Sequence, residues 1–172
     1  MPDWVTHIIT TWLIYQLLAR FKILKKNRYN EIILLFGAIL PDINRLALIG
    51  EVLQPLLLFY TNEQTYYFFL VIHTPIGSLL IAGIIAQIFE KRKETFLYLV
   101  GGITSHLMLD MLLTSINKGV YFLFPFSFQP FQLKLLNSMD MSYMIITITI
   151  FLCTLFYQKA KNKIVIVNNF NY

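Results

Sequence analysis

The run Phe96-Leu-Tyr-Leu-Val-Gly-Gly-Ile-Thr-Ser-His106-Leu-Met-Leu-Asp110-Met-Leu-Leu-Thr-Ser-Ile116 decides the fold class. A helix needs about 20 largely apolar residues to cross the hydrocarbon layer of a bilayer, and this run supplies them with one carboxylate and one imidazole inside. Comparable runs lie at Trp4–Ala19, which is short, and at Glu31–Ile49, Tyr66–Phe89 and Met139–Tyr157. They are continuously apolar, whereas strands of a transmembrane barrel would alternate over about ten residues. The chain is 57% hydrophobic and 13% charged, with a mean hydropathy of +0.63, too apolar for a water-soluble domain of this size. The expectation is an all-α, multi-spanning transmembrane bundle of about five helices. Residues 1–158 form one integral membrane domain and 159–172 a basic cytoplasmic tail.

Neither end suggests cleavage. Met1-Pro2-Asp3-Trp4 carries an acid where a secretory signal has bases, and Ala19-Arg20-Phe21-Lys22 is a poor cleavage site, so the first helix is expected to stay in the mature protein. The single cysteine, Cys153, sits in the last apolar run, which excludes an intrachain disulfide. It reads as a small buried apolar side chain.

Lysine and arginine set the orientation. Eleven of fourteen fall in three clusters: Arg20, Lys22, Lys25, Lys26 and Arg28; Lys91, Arg92 and Lys93; Lys159, Lys161 and Lys163. With five helices these follow the first, third and fifth, all on one side. That side is cytoplasmic by the positive-inside rule, with the N-terminus outside and the C-terminus cytoplasmic. Arg45, Lys118 and Lys134 fall on or near the outer side. The net charge of +5 is then explained by segments facing anionic lipid. No basic patch with stacking aromatics points to nucleic acid. Two outer segments, Glu51–Thr65 and the proline-broken aromatic loop Tyr121–Phe131, are suited to the membrane interface; the loop reads either as an anchor or as the lipid-facing wall of a substrate cleft.

Ionisable groups inside spanning helices cost several kcal/mol unless paired or set in a polar cavity, so each is a candidate site residue. The chain offers His7 in the first helix, Asp42 and Arg45 in the second, His73 in the third, and His106 with Asp110 in the fourth. The orientation, derived from lysine and arginine alone, places His7, Asp42, His73, His106 and Asp110 at similar depth near the outer face. His106 and Asp110 are four residues apart, one turn apart on one helix face, and can reach one ion together. The bland alternatives are a His/Asp pair joining helices, an Asp42–Arg45 ion pair spaced i to i+3, and a simple kink at Pro41. Pro41 removes one helical hydrogen bond and frees a carbonyl a turn earlier. His73-Thr74-Pro75-Ile-Gly77-Ser78 similarly joins a histidine to a proline and small polar residues. Asn44 is a further ligand or hydrogen-bond partner, and Asp140 opens the fifth helix as a first-turn acid.

The ordered set His7, Gly-x-x-Leu-Pro-Asp42, His73-Thr, His106-x-x-x-Asp110-x-x-x-Thr114 and Gly119-Val…Phe124-Pro-Phe-Ser127 resembles the small bacterial and archaeal membrane-bound metal-dependent hydrolases, the family that includes the LexA-regulated inner-membrane hydrolase. The likeness covers roughly residues 4–128. It implies a ligand pattern similar to that of zinc-dependent phospholipase C, with His7, Asp42, His73, His106 and Asp110 as metal ligands. The chain departs from the family pattern at Asn44, where Leu-Pro-Asp-x-Asp is common, and so has one carboxylate fewer for a second ion. It also has a sparser segment around His73.

The function expected from these residues is metal-dependent hydrolysis: a divalent ion, Zn by its donor set, beside an ester or phosphoester of a lipid or lipid-linked substrate. Asp110 or Asp140 is the candidate general base, and Arg45 the candidate partner of a phosphate. Two other classes stand beside it. An ion or metal transporter would need polar residues continuing through the cytoplasmic halves, and Leu79–Ala86 and Phe96–Val100 hold almost none. A non-catalytic bundle would use the His/Asp groups only to pair helices.

Overall fold

A computed structural model describes residues 4–43, 71–114, 120–137 and 141–169. Among these residues the regular structure is helical apart from one short ladder and a bridge between Val120 and Phe131. The described residues form α1 (Trp4–Arg20), α2 (Arg28–Ile39), which tightens into a 3-10 turn over Leu40–Asp42, α3 (Pro75–Ala86), α4 (Arg92–Leu112) and α5 (Met141–Asn169).

Local chemistry explains where these helices start and stop. α1 ends at Arg20, and Lys22 just beyond it has a φ of 59°, in the left-handed region. The Lys22 and Ile23 amides fold back on the Ala19 and Leu18 carbonyls, which satisfies orphan carbonyls of the last turn. Asn27 caps α2 by accepting from the Tyr29 amide at 3.1 Å, with Glu31 in the first turn, where the helix dipole favours an acid. Tyr15, fully buried, pins the intervening loop to α1: its hydroxyl accepts from the Asn27 amide and donates to the Asn27 carbonyl, both at 3.0 Å.

The helix expected over Tyr66–Phe89 is interrupted. Residues 71 and 72 are helical, the chain turns at His73 and Thr74, and α3 begins at Pro75. Thr74 caps it by accepting from the Gly77 amide at 3.1 Å and donates to the Val71 carbonyl at 2.7 Å. Proline at the first helical position favours a start there and disfavours helical backbone at the residue before it. α4 stops at Leu112 rather than Ile116, because Leu113 and Thr114 pair in parallel with Leu136 and Asn137. The Leu133 amide also donates to the Met111 carbonyl at 2.8 Å, so the aromatic loop is tied to the end of α4.

α2 packs most extensively on α4. The contact is close because neither Gly37 nor Gly102 has a side chain: a Cβ on Gly102 would strike the Leu34 carbonyl and the Ala38 amide, and one on Gly37 the Leu99 carbonyl. Small residues at crossings of this kind are how membrane helices gain packing without a hydrophobic driving force. Around the crossing lie Ile33, Leu40, Ala82, Leu99, Ile103, Leu107 and Val120. The basic end of the bundle is tied by polar pairs: Trp12 Nε1 donates to Glu31 Oε1 at 2.6 Å, Asn30 Nδ2 to Glu94 Oε1 at 2.9 Å, and the Tyr29 and Thr95 hydroxyls share a bond of 2.7 Å.

α4 and the Met141–Lys161 part of α5 are long and apolar enough to cross a membrane. The outer face of α5 is apolar: Ile145, Ile146, Ile150, Leu152 and Phe156 are all exposed. Cys153, expected to be buried, is exposed on this helix. α5 touches the bundle mainly through α1, and in a bilayer a small apolar side chain gains as much facing lipid as facing protein. α5 also runs as one helix through Lys159 and Lys161, past the expected end at Tyr157.

Candidate metal centre

Two helices and two breaks converge on one buried cluster. His7 lies a turn into α1 and is 1% exposed, Asp42 closes the 3-10 turn and is 1% exposed, and His106 and Asp110 lie on α4 at 0% and 8%. His73, half-buried, sits in the turn that precedes α3. The breaks matter because they bring side chains to the bundle axis that a straight helix would spread over successive turns. The His73 turn is held by Ser78 Oγ, which donates to the Ile72 carbonyl at 2.6 Å. α1 is held to α4 by a hydroxyl pair, Thr11 and Ser105, at 2.9 Å.

Asp110 is the hub. Its Oδ2 lies 3.0 Å from His73 Nε2 and 3.3 Å from His106 Nε2, and its Oδ1 lies 3.3 Å from His7 Nε2. Asp42 Oδ1 is 3.6 Å from His73 Nε2 and 3.8 Å from His106 Nε2. The His73 and His106 Nε2 atoms are 3.4 Å apart. The His7 and His106 rings stack with centroids 4.0 Å apart.

His106 Nδ1 lies 2.7 Å from the Ala38 carbonyl oxygen. A carbonyl can only accept, so Nδ1 carries the proton and the lone pair of the neutral ring is on Nε2, facing the cluster. Metal-bound histidines are commonly oriented in this way by a backbone carbonyl on the far nitrogen.

The donor set fits a metal ion. Lone pairs of imidazole and carboxylate that face one another at 3.3 Å need a cation or a proton between them. His7 Nδ1 and Nε2 are buried without a hydrogen bond among the described residues, although Nε2 has Asp110 nearby. Ligands bound at 2.0–2.1 Å around a tetrahedral ion are about 3.3 Å apart, close to the observed 3.0–3.8 Å. Two overlapping trios, His7–Asp42–His106 and His73–His106–Asp110, each bring one donor atom per residue within 4.8 Å of the others and could hold an ion.

The structure thus brings together all five residues that the sequence pattern singled out as ligands. Arg45, Asn44, Asp140 and the segment Glu51–Thr65 lie outside the described residues. The aromatic loop is described, and Phe126 and Phe128 are exposed on it. Sequence reasoning missed the Ala38 carbonyl, a backbone atom with no residue-type signature, and the Thr11–Ser105 and Trp12–Glu31 pairs, whose members lie on different helices.

A helical membrane bundle with a buried His/Asp cluster able to hold a metal ion is the class that these features define. The chain belongs to the YdjM inner membrane protein family, whose model it matches over residues 1–170. This is the membrane-bound metal-dependent hydrolase family that the ordered motifs resembled, and it places the protein in the inner membrane. Neither a curated protein nor a solved structure matches the chain.

Proposed function

We propose that the protein is a membrane-bound, metal-dependent hydrolase that cleaves an ester or phosphoester of a lipid or lipid-linked substrate near the outer membrane face. The observation that carries this reading is the convergence of three imidazoles and two carboxylates from two helices and two backbone breaks, with the His106 tautomer set by Ala38. Helix pairing alone requires one partner for each polar group, and this cluster gathers five.

In this reading His7, Asp42, His73, His106 and Asp110 hold a divalent ion, Zn by the donor chemistry of histidine and carboxylate. When bound, such an ion acidifies a water and polarises the bond to be cleaved. The chain's own residues do the rest. Ala38 holds the His106 proton on Nδ1. Asp110 has an oxygen near each of the three histidines and orients them; the carboxylate that accepts a proton from the attacking water is one not taken up as a ligand, Asp140 or Asp110. Arg45, three residues beyond Asp42, is the proposed partner of the substrate phosphate. The exposed aromatics of the loop at Tyr121–Phe131 favour an amphipathic substrate at the interface.

The lysine and arginine clusters support five spans with the N-terminus outside, residues 1–158 in the membrane and 159–172 as a basic cytoplasmic tail. Reporter fusions at either end test the orientation. Hydrolysis is tested with detergent-purified, metal-loaded protein on phospholipid and polyprenyl-phosphate substrates, wild type beside Asp110→Asn. Release of water-soluble product by wild type and its loss in a folded, metal-containing variant is the expected result; equal release by both would remove the proposed site from the chemistry.

A further inference from the structure

We infer that the five side chains hold one divalent ion rather than two, with His106 as the ligand common to both trios. The inference rests on the metal-centre reading above and starts from the end of α2. There the α-helix tightens into the 3-10 turn Leu40–Asp42, and the Ala38 carbonyl, in the last turn of α2, accepts a hydrogen from outside the helix: His106 Nδ1 lies 2.7 Å away.

His106 is thereby left with one nitrogen, Nε2, for a metal. Both trios, His7–Asp42–His106 and His73–His106–Asp110, include this residue, and one lone pair binds one ion. The trios consequently describe two faces of a single coordination sphere.

The distances between trios agree. Two ions bridged in one site lie about 3.5–4 Å apart, which separates the outer donors of one ion from those of the other. Here the pairs that join one trio to the other are as short as those within them: His73 to Asp42 at 3.6 Å and His7 to Asp110 at 3.3 Å, against His73 to Asp110 at 3.0 Å and His106 to Asp42 at 3.8 Å. Asp42, His73 and His106 form a third trio across the division, with edges of 3.4, 3.6 and 3.8 Å.

Charge points the same way. Two carboxylates bring two negative charges, which one divalent ion neutralises. A second ion would leave two positive charges in a buried site of low dielectric, and the carboxylate that would offset part of that excess in the common Leu-Pro-Asp-x-Asp pattern is Asn44 in this chain.

The test counts metal in full-length, monodisperse, detergent-purified protein after saturation with Zn²⁺ and removal of loose ions, by elemental analysis, with EPR of the Mn²⁺-loaded protein alongside. One ion per chain and an uncoupled Mn²⁺ signal are expected, with His106→Ala losing all bound metal rather than half. Two ions per chain, or an exchange-coupled pair, would overturn the one-ion inference while leaving the metal centre intact. No bound metal in folded wild type would overturn the metal centre itself. The wild-type count decides between these outcomes even if His106→Ala fails to fold.

Discussion

His106 Nδ1 meets the carbonyl oxygen of Ala38 at 2.7 Å across 68 residues of chain, on the two helices that pack most closely. The bond depends on a helix crossing with no Cβ at its centre, on an α-helix that gives way to a 3-10 turn just beyond Ala38, and on an imidazole that must show its lone pair to the cluster. Each of these conditions can be altered separately.

Pro41→Ala restores an amide hydrogen for the Gly37 carbonyl, so that α2 can continue as an α-helix in which the Asp42 amide competes with His106 for the Ala38 carbonyl. Orienting partners of metal-bound histidines are typically worth about 10–100-fold in metal affinity, and a loss of that order is expected in chelator competition. Nitrogen NMR of labelled histidine separates this from a general loosening, because the His106 proton should leave its fixed position on Nδ1. An unchanged tautomer and unchanged affinity would show that Ala38 does not set the ring.

Gly102→Ala places a methyl group against the Leu34 carbonyl and the Ala38 amide. Backbone atoms cannot move aside as a side-chain tip can, so α2 and α4 must separate. The expected loss is about 1–3 kcal/mol, the usual range for overpacking, read from unfolding in detergent, with lower metal content because Ala38 moves away from His106. Wild-type stability in this variant would mean that the crossing is looser than described.

Glu31→Leu removes the acceptor of Trp12 Nε1 at the basic end of the bundle and leaves a donor stranded. Trp12 is half-buried, so the cost lies at or below the low end of the about 1–3 kcal/mol of a fully buried unsatisfied donor. Stability should fall while bound metal per folded chain stays at the wild-type level, since the pair ties α1 to α2 without belonging to the cluster. Metal loss in the folded variant would show the two ends of the bundle to be coupled.

Acidification should release the ion. Imidazole binds metal only when neutral, so protons compete with the ion for all three histidines as pH falls. An ion that binds only the folded chain also stabilises it, so the metal-dependent part of the melting temperature should be present at neutral pH and vanish in mild acid. A metal-dependent increment that persists at pH 5 would point to ligation without the histidines.

Much of this was legible in the linear chain because a membrane makes polar residues conspicuous. His7, Asp42, His73, His106 and Asp110 stand out by being ionisable in apolar runs, and the lysine and arginine clusters suggested a common depth for them before any contact was known. Pro41 announced a backbone break. What could not be read was how the breaks are used. A continuous helix over Tyr66–Phe89 was the natural expectation, and Thr74 capping α3 replaces it with a turn at His73. Cys153 was expected inside because apolar residues are usually buried, but α5 faces the bundle along only one side, and the bilayer accepts an apolar side chain as readily as the core does.

Sequence alone determined that the chain is a helical membrane protein and which five side chains are candidates for a metal, since both follow from local polarity: the length of apolar runs and the cost of placing charge within them. Only the tertiary structure decided that Gly37 and Gly102 let α2 and α4 touch, that the Ala38 carbonyl is claimed by His106, and that two trios of candidate ligands share His106. Those depend on distances between atoms far apart in the chain, which no local pattern encodes.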